Sequence, residues 1–153
     1  MATLALKIPP PVVALGCAAA MYALAAVTPA YALAPHWTLM ASLVLAVIGI
    51  GFDLAGLIAF RRQRTTINPL HPEKSSALVC SGIYRITRNP MYVGMALLLL
   101  AWAVYLHSPV ALLGLAGFIA YITRFQIIPE ERVLAQRFGV AFEDYRRRVR
   151  RWL

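Results

Sequence analysis

Four apolar runs, separated by segments that hold nearly all the charge, decide what this chain can become. They cover residues 12–34, 39–60, 91–107 and 110–128. At about 1.5 Å per residue, each of the first two crosses a hydrocarbon layer roughly 30 Å thick, and the last two lie near the short end of the spanning range. Ser108-Pro109 makes a tight turn between the third and fourth. The chain has 153 residues, 61% of them hydrophobic and only 14% charged. A soluble domain is about half apolar and about a quarter charged, so this composition is wrong for water. The expected fold is all-α and integral to the membrane. It is one domain, residues 1–153, with four transmembrane helices and a C-terminal amphipathic, interfacial helix pair over 129–153.

Placement of the basic residues sets the orientation. Lys7, then Arg61, Arg62, Arg64, Lys74, Arg85 and Arg88, then eight arginines from Arg124 to Arg151 make up the fifteen. The connections near 29–38 and 105–110 hold no Lys or Arg. The positive-inside rule therefore puts both termini and the 61–90 connection in the cytoplasm. A net charge of +9 could suggest nucleic acid, but such readers carry their basic residues on a soluble fold. Here the charge fits anionic lipid headgroups, so the expected partners are membrane lipid and no nucleic acid. Lys7 before an apolar run, with Ala32-Leu33-Ala34 after it, has the look of a leader. The run is longer than a leader's, and Pro35 would follow the cut, so the reading is a spanning helix.

Cys17 and Cys80 form no CxxC pair and read as free thiols. His36, His71 and His107 lie far apart, and no metal site is expected. In the tail, Leu134, Phe138, Ala141, Tyr145, Val149 and Trp152 recur at three- and four-residue steps with arginines between them. That pattern suits a helix lying on the bilayer surface, broken at Gly139.

The informative stretch is Ser81-Gly82-Ile83-Tyr84-Arg85-Ile86-Thr87-Arg88-Asn89-Pro90-Met91-Tyr92-Val93-Gly94. Asn89 is a favoured N-cap and Pro90 a favoured first helical residue. The third span would open there with unpaired N–H groups and partial positive charge, and Arg88 beside it would strengthen a site for a carboxylate or phosphate. An ordinary interfacial helix start, where Tyr and Arg are common, is the plainer alternative. A second cluster, Pro129-Glu130-Glu131-Arg132, closes the fourth span. It suits a cationic or hydroxyl-bearing ligand, or simply a helix start with acids in its first turn.

Together these clusters carry a resemblance. Gly82, Tyr84, Arg88, Asn89, Pro90, Tyr92 and Gly94, an apolar hairpin, then Glu130, Glu131, Leu134, Phe138 and Gly139 resemble the isoprenylcysteine carboxyl methyltransferase family over residues 65–150. A weaker similarity runs to the phospholipid N-methyltransferases. The resemblance implies S-adenosyl-L-methionine (SAM) as methyl donor, held on the cytoplasmic side between the last two spans and the tail; the expected location is a bacterial or archaeal inner membrane. It implies cofactor contacts at Tyr84, Arg88, Asn89, Pro90, Met91, Tyr92 and Glu130, and along Ser76, Ala77, Leu78 and Val79, with His71 beside them. Family members that act on a prenylated cysteine carboxylate tend to have Arg four residues before the acidic pair. This chain has Gln126 there, with Arg124 two residues earlier.

The reading is a SAM-dependent membrane methyltransferase acting on a small lipophilic acceptor, an amine-bearing lipid or an apolar thiol. Methyl transfer from a sulfonium is an in-line displacement, so the protein chiefly positions the partners and excludes water. Glu131 is the nearby base for an amine acceptor, and Arg124 the residue that could meet an acceptor carboxylate. No G-x-G-x-x-G follows a strand, which excludes a Rossmann-type enzyme. Gly49, Gly51 and Gly56 read as close helix packing. Two alternatives are a four-span exporter that uses Asp53 and a non-catalytic membrane interaction protein of the same fold.

Overall fold

Proline fixes where several helices begin, because a first-turn residue has no intrahelical use for its N–H. A computed structural model describes residues 5–28, 35–63 and 78–153. Helix α1 is Pro10–Ala26, α2 Pro35–Arg62 and α3 Pro90–Tyr105. A 3-10 turn over Pro109–Ala111 leads into α4, Leu112–Ile122, and a π-helical turn over Thr123–Ile127 joins α4 to α5, Ile128–Phe138. Gly139, at φ +51°, separates α5 from α6, Val140–Arg148. No strand occurs among the described residues; the one β-bridge pairs Thr87 with Arg150.

Two stretches, His36–Arg62 and Pro109–Phe138, are long and apolar enough to cross a membrane. Helices α1 and α3 have 17 and 16 residues, short of the roughly 20 that a full crossing takes. The outward face of α2 leaves Leu39, Leu43, Val47, Ile50, Leu54 and Ile58 exposed. A water-soluble protein rarely leaves so long an apolar stripe uncovered.

The helix does not stop where the fourth apolar run ends at residue 128 but continues through Pro129. Proline in a helix interior lacks the N–H that would reach the carbonyl four residues back, and its ring collides with that carbonyl. The π turn opens the helix just there. The freed acceptor, the Phe125 carbonyl, takes the Leu6 N–H at 3.0 Å. Gln126, fully buried, donates its side-chain amide to the Ile8 carbonyl at 2.7 Å. The segment before α1 is thus bound to the helix irregularity that Pro129 imposes.

Helices α1, α3 and α4 share a core of Met21, Tyr92, Leu99, Phe118, Ile122 and Ile127, with Trp152 packed against it. Met21 enters the gap left by Gly114, where an added Cβ would strike its side chain. Helices α2 and α3 meet backbone to backbone. A Cβ on Gly49 would lie 2.9 Å from the Gly94 carbonyl oxygen, and one on Gly94 2.7 Å from that of Gly49 and against the Asp53 carboxylate. Gly56 packs on Met91, whereas Gly51 faces open space. Of the three glycines read as packing positions, two therefore serve it.

At the opposite end of the bundle, Thr38 and the His107 ring bond at 2.6 Å and Thr28 and Ser108 at 3.2 Å, tying α2 and α1 to the α3–α4 turn. The α2–α3 seam gives a direct test. Gly94→Ala should cost about 1–3 kcal/mol through overpacking, lowering the thermal midpoint of the detergent-solubilised protein. Gly51→Ala, with nothing within 4 Å, should be neutral or stabilising by about 0.5–1 kcal/mol. Equal midpoints for the two variants would show that the helices do not touch at Gly94.

Candidate functional site

The loop before α3 is shaped by Gly82, whose φ of +61° opens a 3-10 turn, Gly82–Arg85. The turn drives the Tyr84 ring inward, edge-on to Phe60 of α2 with centroids 5.5 Å apart. Val79, Tyr84 and Ala59 form a small buried cluster, and Leu78 is half-buried beside Val79. The Tyr84 carbonyl accepts the Tyr145 hydroxyl of α6 at 2.8 Å. Burial raises the Tyr84 phenol above its ordinary pKa, and Tyr145 and Glu130 nearby push the same way. Tyr145 is raised as well, by burial first and Cys80 next, with Arg88 opposing.

Asn89 stands at the N-cap position of α3, but its side chain makes no cap bond, contrary to the expected role. Its amide nitrogen donates instead to the Arg151 carbonyl at 2.9 Å, and the Thr87 hydroxyl accepts the Asn89 N–H at 3.2 Å. Pro90 has no N–H to satisfy, and the N–H groups of Met91 and Tyr92 have no acceptor within the helix. Arg88 lies two residues before this turn, and Tyr92 within it reaches the acidic pair.

The two adjacent carboxylates have different surroundings. Glu130 accepts the Tyr92 hydroxyl at 2.6 Å, joining α5 to α3. Glu131 lies between two guanidinium groups. Arg88 Nη2 approaches Glu131 Oε1 at 2.8 Å, while Arg151 grips both oxygens, Nε to Oε1 at 3.0 Å and Nη2 to Oε2 at 2.7 Å. Burial lowers the Arg88 pKa, and Glu131 opposes that shift. The bond to Glu131 raises the pKa of Arg151. Arg88 is nearly enclosed, and its Nε and Nη1 are buried without a partner.

The structure therefore gathers Tyr84, Arg88, Asn89, Pro90, Met91, Tyr92, Glu130 and Glu131 where α3, α5 and the motif loop meet. Arg124 is exposed in the π turn, and the amide of Gln126 is already bonded to Ile8. His71, Ser76 and Ala77 lie outside the described residues. Four participants were not anticipated as site residues: Thr87, Tyr145, Arg151 and Trp152. Their sequence pattern places Tyr145 and Trp152 in the lipid-facing stripe and Arg151 among the topology charges. The structure turns Tyr145 and Phe142 of α6 into the protein and leaves Val140 and Ala141 exposed.

Known proteins bear on this geometry. Protein-S-isoprenylcysteine O-methyltransferase A of Arabidopsis thaliana is 29% identical over 109 residues, 71% of this chain and 55% of that protein. A probable protein-S-isoprenylcysteine O-methyltransferase of Oryza sativa is 30% identical over 110 residues, 70% of this chain and 56% of that protein. An uncharacterized protein of Haemophilus influenzae is 44% identical over 63 residues, 41% of this chain and all of that protein. The chain spans a little over half the length of the plant relatives. No solved structure matches it. A match over residues 37–141, which takes in the motif loop and helices α3 to α5, places this chain in the phospholipid methyltransferase family.

Proposed function

We propose that this chain is an integral membrane methyltransferase that uses SAM and methylates a small lipophilic acceptor. It crosses the membrane four times, with both termini and the site on the cytoplasmic side. One observation carries the reading: next to a paired Glu131 stand a carboxylate, Glu130, bonded to a phenol, and an arginine with two buried, unpartnered nitrogens. The amino-acid end of SAM is a zwitterion, and these groups complement it. Arg88 Nε and Nη1, with the first N–H groups of α3, would hold the carboxylate. Glu130 would hold the ammonium, with Tyr92 fixing its direction. Tyr84, Val79 and Leu78 supply an apolar wall. When bound, the cofactor supplies an electrophilic methyl group, and the protein's contribution is alignment and exclusion of water.

The same geometry narrows the acceptor. Both oxygens of Glu131 are engaged by guanidinium groups, so Glu131 acts as a positioning group, and an ammonium acceptor finds no base in it. Gln126 has its donor committed to Ile8, and Arg124 is exposed, so a carboxylate acceptor meets no enclosed cation there. A thiol needs no carboxylate-binding cation, and its small thiolate fraction, larger for a cysteine-like thiol with an ordinary pKa of about 8.5, is the reactive nucleophile. Asp53, the residue an exporter would use, packs against Gly94 in the α2–α3 seam. That position favours a structural role for it.

Three tests follow from this reading. Glu130→Ala removes a charge-assisted bond and should weaken SAM binding by roughly 1.5–3 kcal/mol, about 10- to 150-fold, by calorimetry. An unchanged constant removes Glu130 from the site, and a wild type that binds no SAM at millimolar concentration ends the enzyme reading. For topology, cysteines placed at positions 36 and 70 should label from opposite sides of sealed vesicles; labelling from one side would overturn the four-span arrangement. For the acceptor, radiolabelled SAM supplied with long-chain thiols, phosphatidylethanolamine and farnesylated cysteine should label the thiols. Methylation of farnesylcysteine alone would refute this and return Arg124 to the reaction as its carboxylate-binding residue.

A further inference from the structure

Beyond α6 the chain turns back on the site. Val149 leaves the helix in an extended conformation, φ −123° and ψ 134°. The Arg150 carbonyl accepts the Arg88 N–H at 2.9 Å. The Arg151 carbonyl accepts both the Thr87 hydroxyl, at 3.2 Å, and the Asn89 side-chain amide, at 2.9 Å. Thr87 is fully buried under this crossing. The Trp152 indole N–H donates to the Thr123 hydroxyl at 3.2 Å, and its ring packs on the core between the helices. Residues 150–152 thereby bind the motif loop, the acidic pair and the π turn at once.

The guanidinium of Arg151 has the more consequential contact. A carboxylate and a guanidinium favour a two-pronged pair, and two guanidinium groups cannot both form one with the same two oxygens. Arg151 holds the two-pronged position on Glu131, so Arg88 is limited to one nitrogen. Its Nε and Nη1 stay without a protein acceptor. We propose that Arg151 is a positioning residue of the cofactor site: by occupying Glu131 it keeps two nitrogens of Arg88 open for the carboxylate of the cofactor. Removing Arg151 lets Arg88 close on both oxygens of Glu131 and withdraw one of those two donors. The inference rests on the SAM-binding reading above and adds a residue and a mechanism to it.

The experiment compares two ligands on the full chain in detergent: SAM, and decarboxylated SAM, which lacks only the carboxylate. In wild type, SAM should bind more tightly than the decarboxylated form. Arg151→Ala should weaken SAM about tenfold or more, the scale of a charge-assisted hydrogen bond, and leave the decarboxylated form within about twofold. Arg151→Lys, a point charge without the fork, should fall between the two. In a Glu131→Gln background, which removes the competing carboxylate, Arg151→Ala should change SAM binding by less than about twofold, because coupled residues are not additive. Equal weakening of both ligands would show a merely structural role and overturn the proposal, as would no weakening of either. If Arg151→Ala loses its fold, Arg151→Lys and the Glu131→Gln pair still decide. If wild type binds neither ligand, the SAM reading itself is wrong and the inference falls with it; if wild type binds and the ligand ratio is insensitive to Arg151, only the inference falls.

Discussion

Two arginines converge on one glutamate where three parts of the chain meet, and most of the site is arranged by that contact. Arg88 comes from the motif loop, Glu131 from α5, and Arg151 from the segment after α6. Enclosing charges of this kind is costly, and a lone partner left behind costs about 3–5 kcal/mol. Arg88 and Glu131, both nearly enclosed, must therefore assemble together, which ties the loop to α5 before any ligand arrives, while the more exposed Arg151 adds to a pair already made. The group carries one net positive charge, and burial raises the pKa of the Glu130 carboxyl beside it to about 8 against the opposing bond from Tyr92, so that carboxyl takes its negative charge most readily when a cation arrives. That balance fits a ligand with both signs at one end. It also separates two residues that look equivalent in the sequence: guanidinium groups engage both oxygens of Glu131, while Glu130 takes the Tyr92 phenol.

The irregularity before α5 serves the same frame from the other direction. Pro129 precedes the acidic pair directly, and a straight α-helix could not carry it without losing a bond at Phe125. The π turn relieves the collision, and Leu6 supplies the missing donor. Gln126 lies inside that turn and is turned into the core toward Ile8. Thr123, also in the turn, accepts the Trp152 indole. One residue that breaks helical rules thus anchors the segment before α1 on one side and the segment after α6 on the other.

How legible this was depends on whether a feature is local. Helix starts at Pro90 and Pro109 and the break at Gly139 follow from backbone chemistry within a few residues, and the sequence carries them. Close packing at Gly49 and Gly56 was readable for the same reason, since only glycine admits such an approach. The role of Asn89 was not. A favoured N-cap was expected to cap through its side-chain oxygen, but the bond its amide nitrogen donates to the Arg151 carbonyl, 62 positions away, orients the side chain instead. The helical stripe in the tail misled in a related way. An apolar face demands burial without saying whether lipid or protein supplies it, and for Tyr145 and Trp152 it is protein. Arg151 was hidden among seven other arginines of a basic tail, where only the fold distinguishes a paired charge from a solvated one.

The motif itself then resolves into residues with separate physical duties. Gly82 supplies a backbone angle, and Tyr84 wedges the loop against α2. Arg88 brings the charge, Pro90 begins the helix without an N–H to satisfy, and Tyr92 reaches across to Glu130. Gly94 lets α3 press on the backbone of α2 at Gly49 and against Asp53. Tyr92 and Gly94, two positions apart, point to nearly opposite sides of α3. One side holds the acidic pair, and the other fixes the helix against its neighbour. A shift of α3 along α2 by even one residue would move Tyr92 by about 1.5 Å, enough to break a 2.6 Å bond to Glu130. The glycine contact between α2 and α3 is therefore what sets the geometry of the carboxylate at the edge of the bundle.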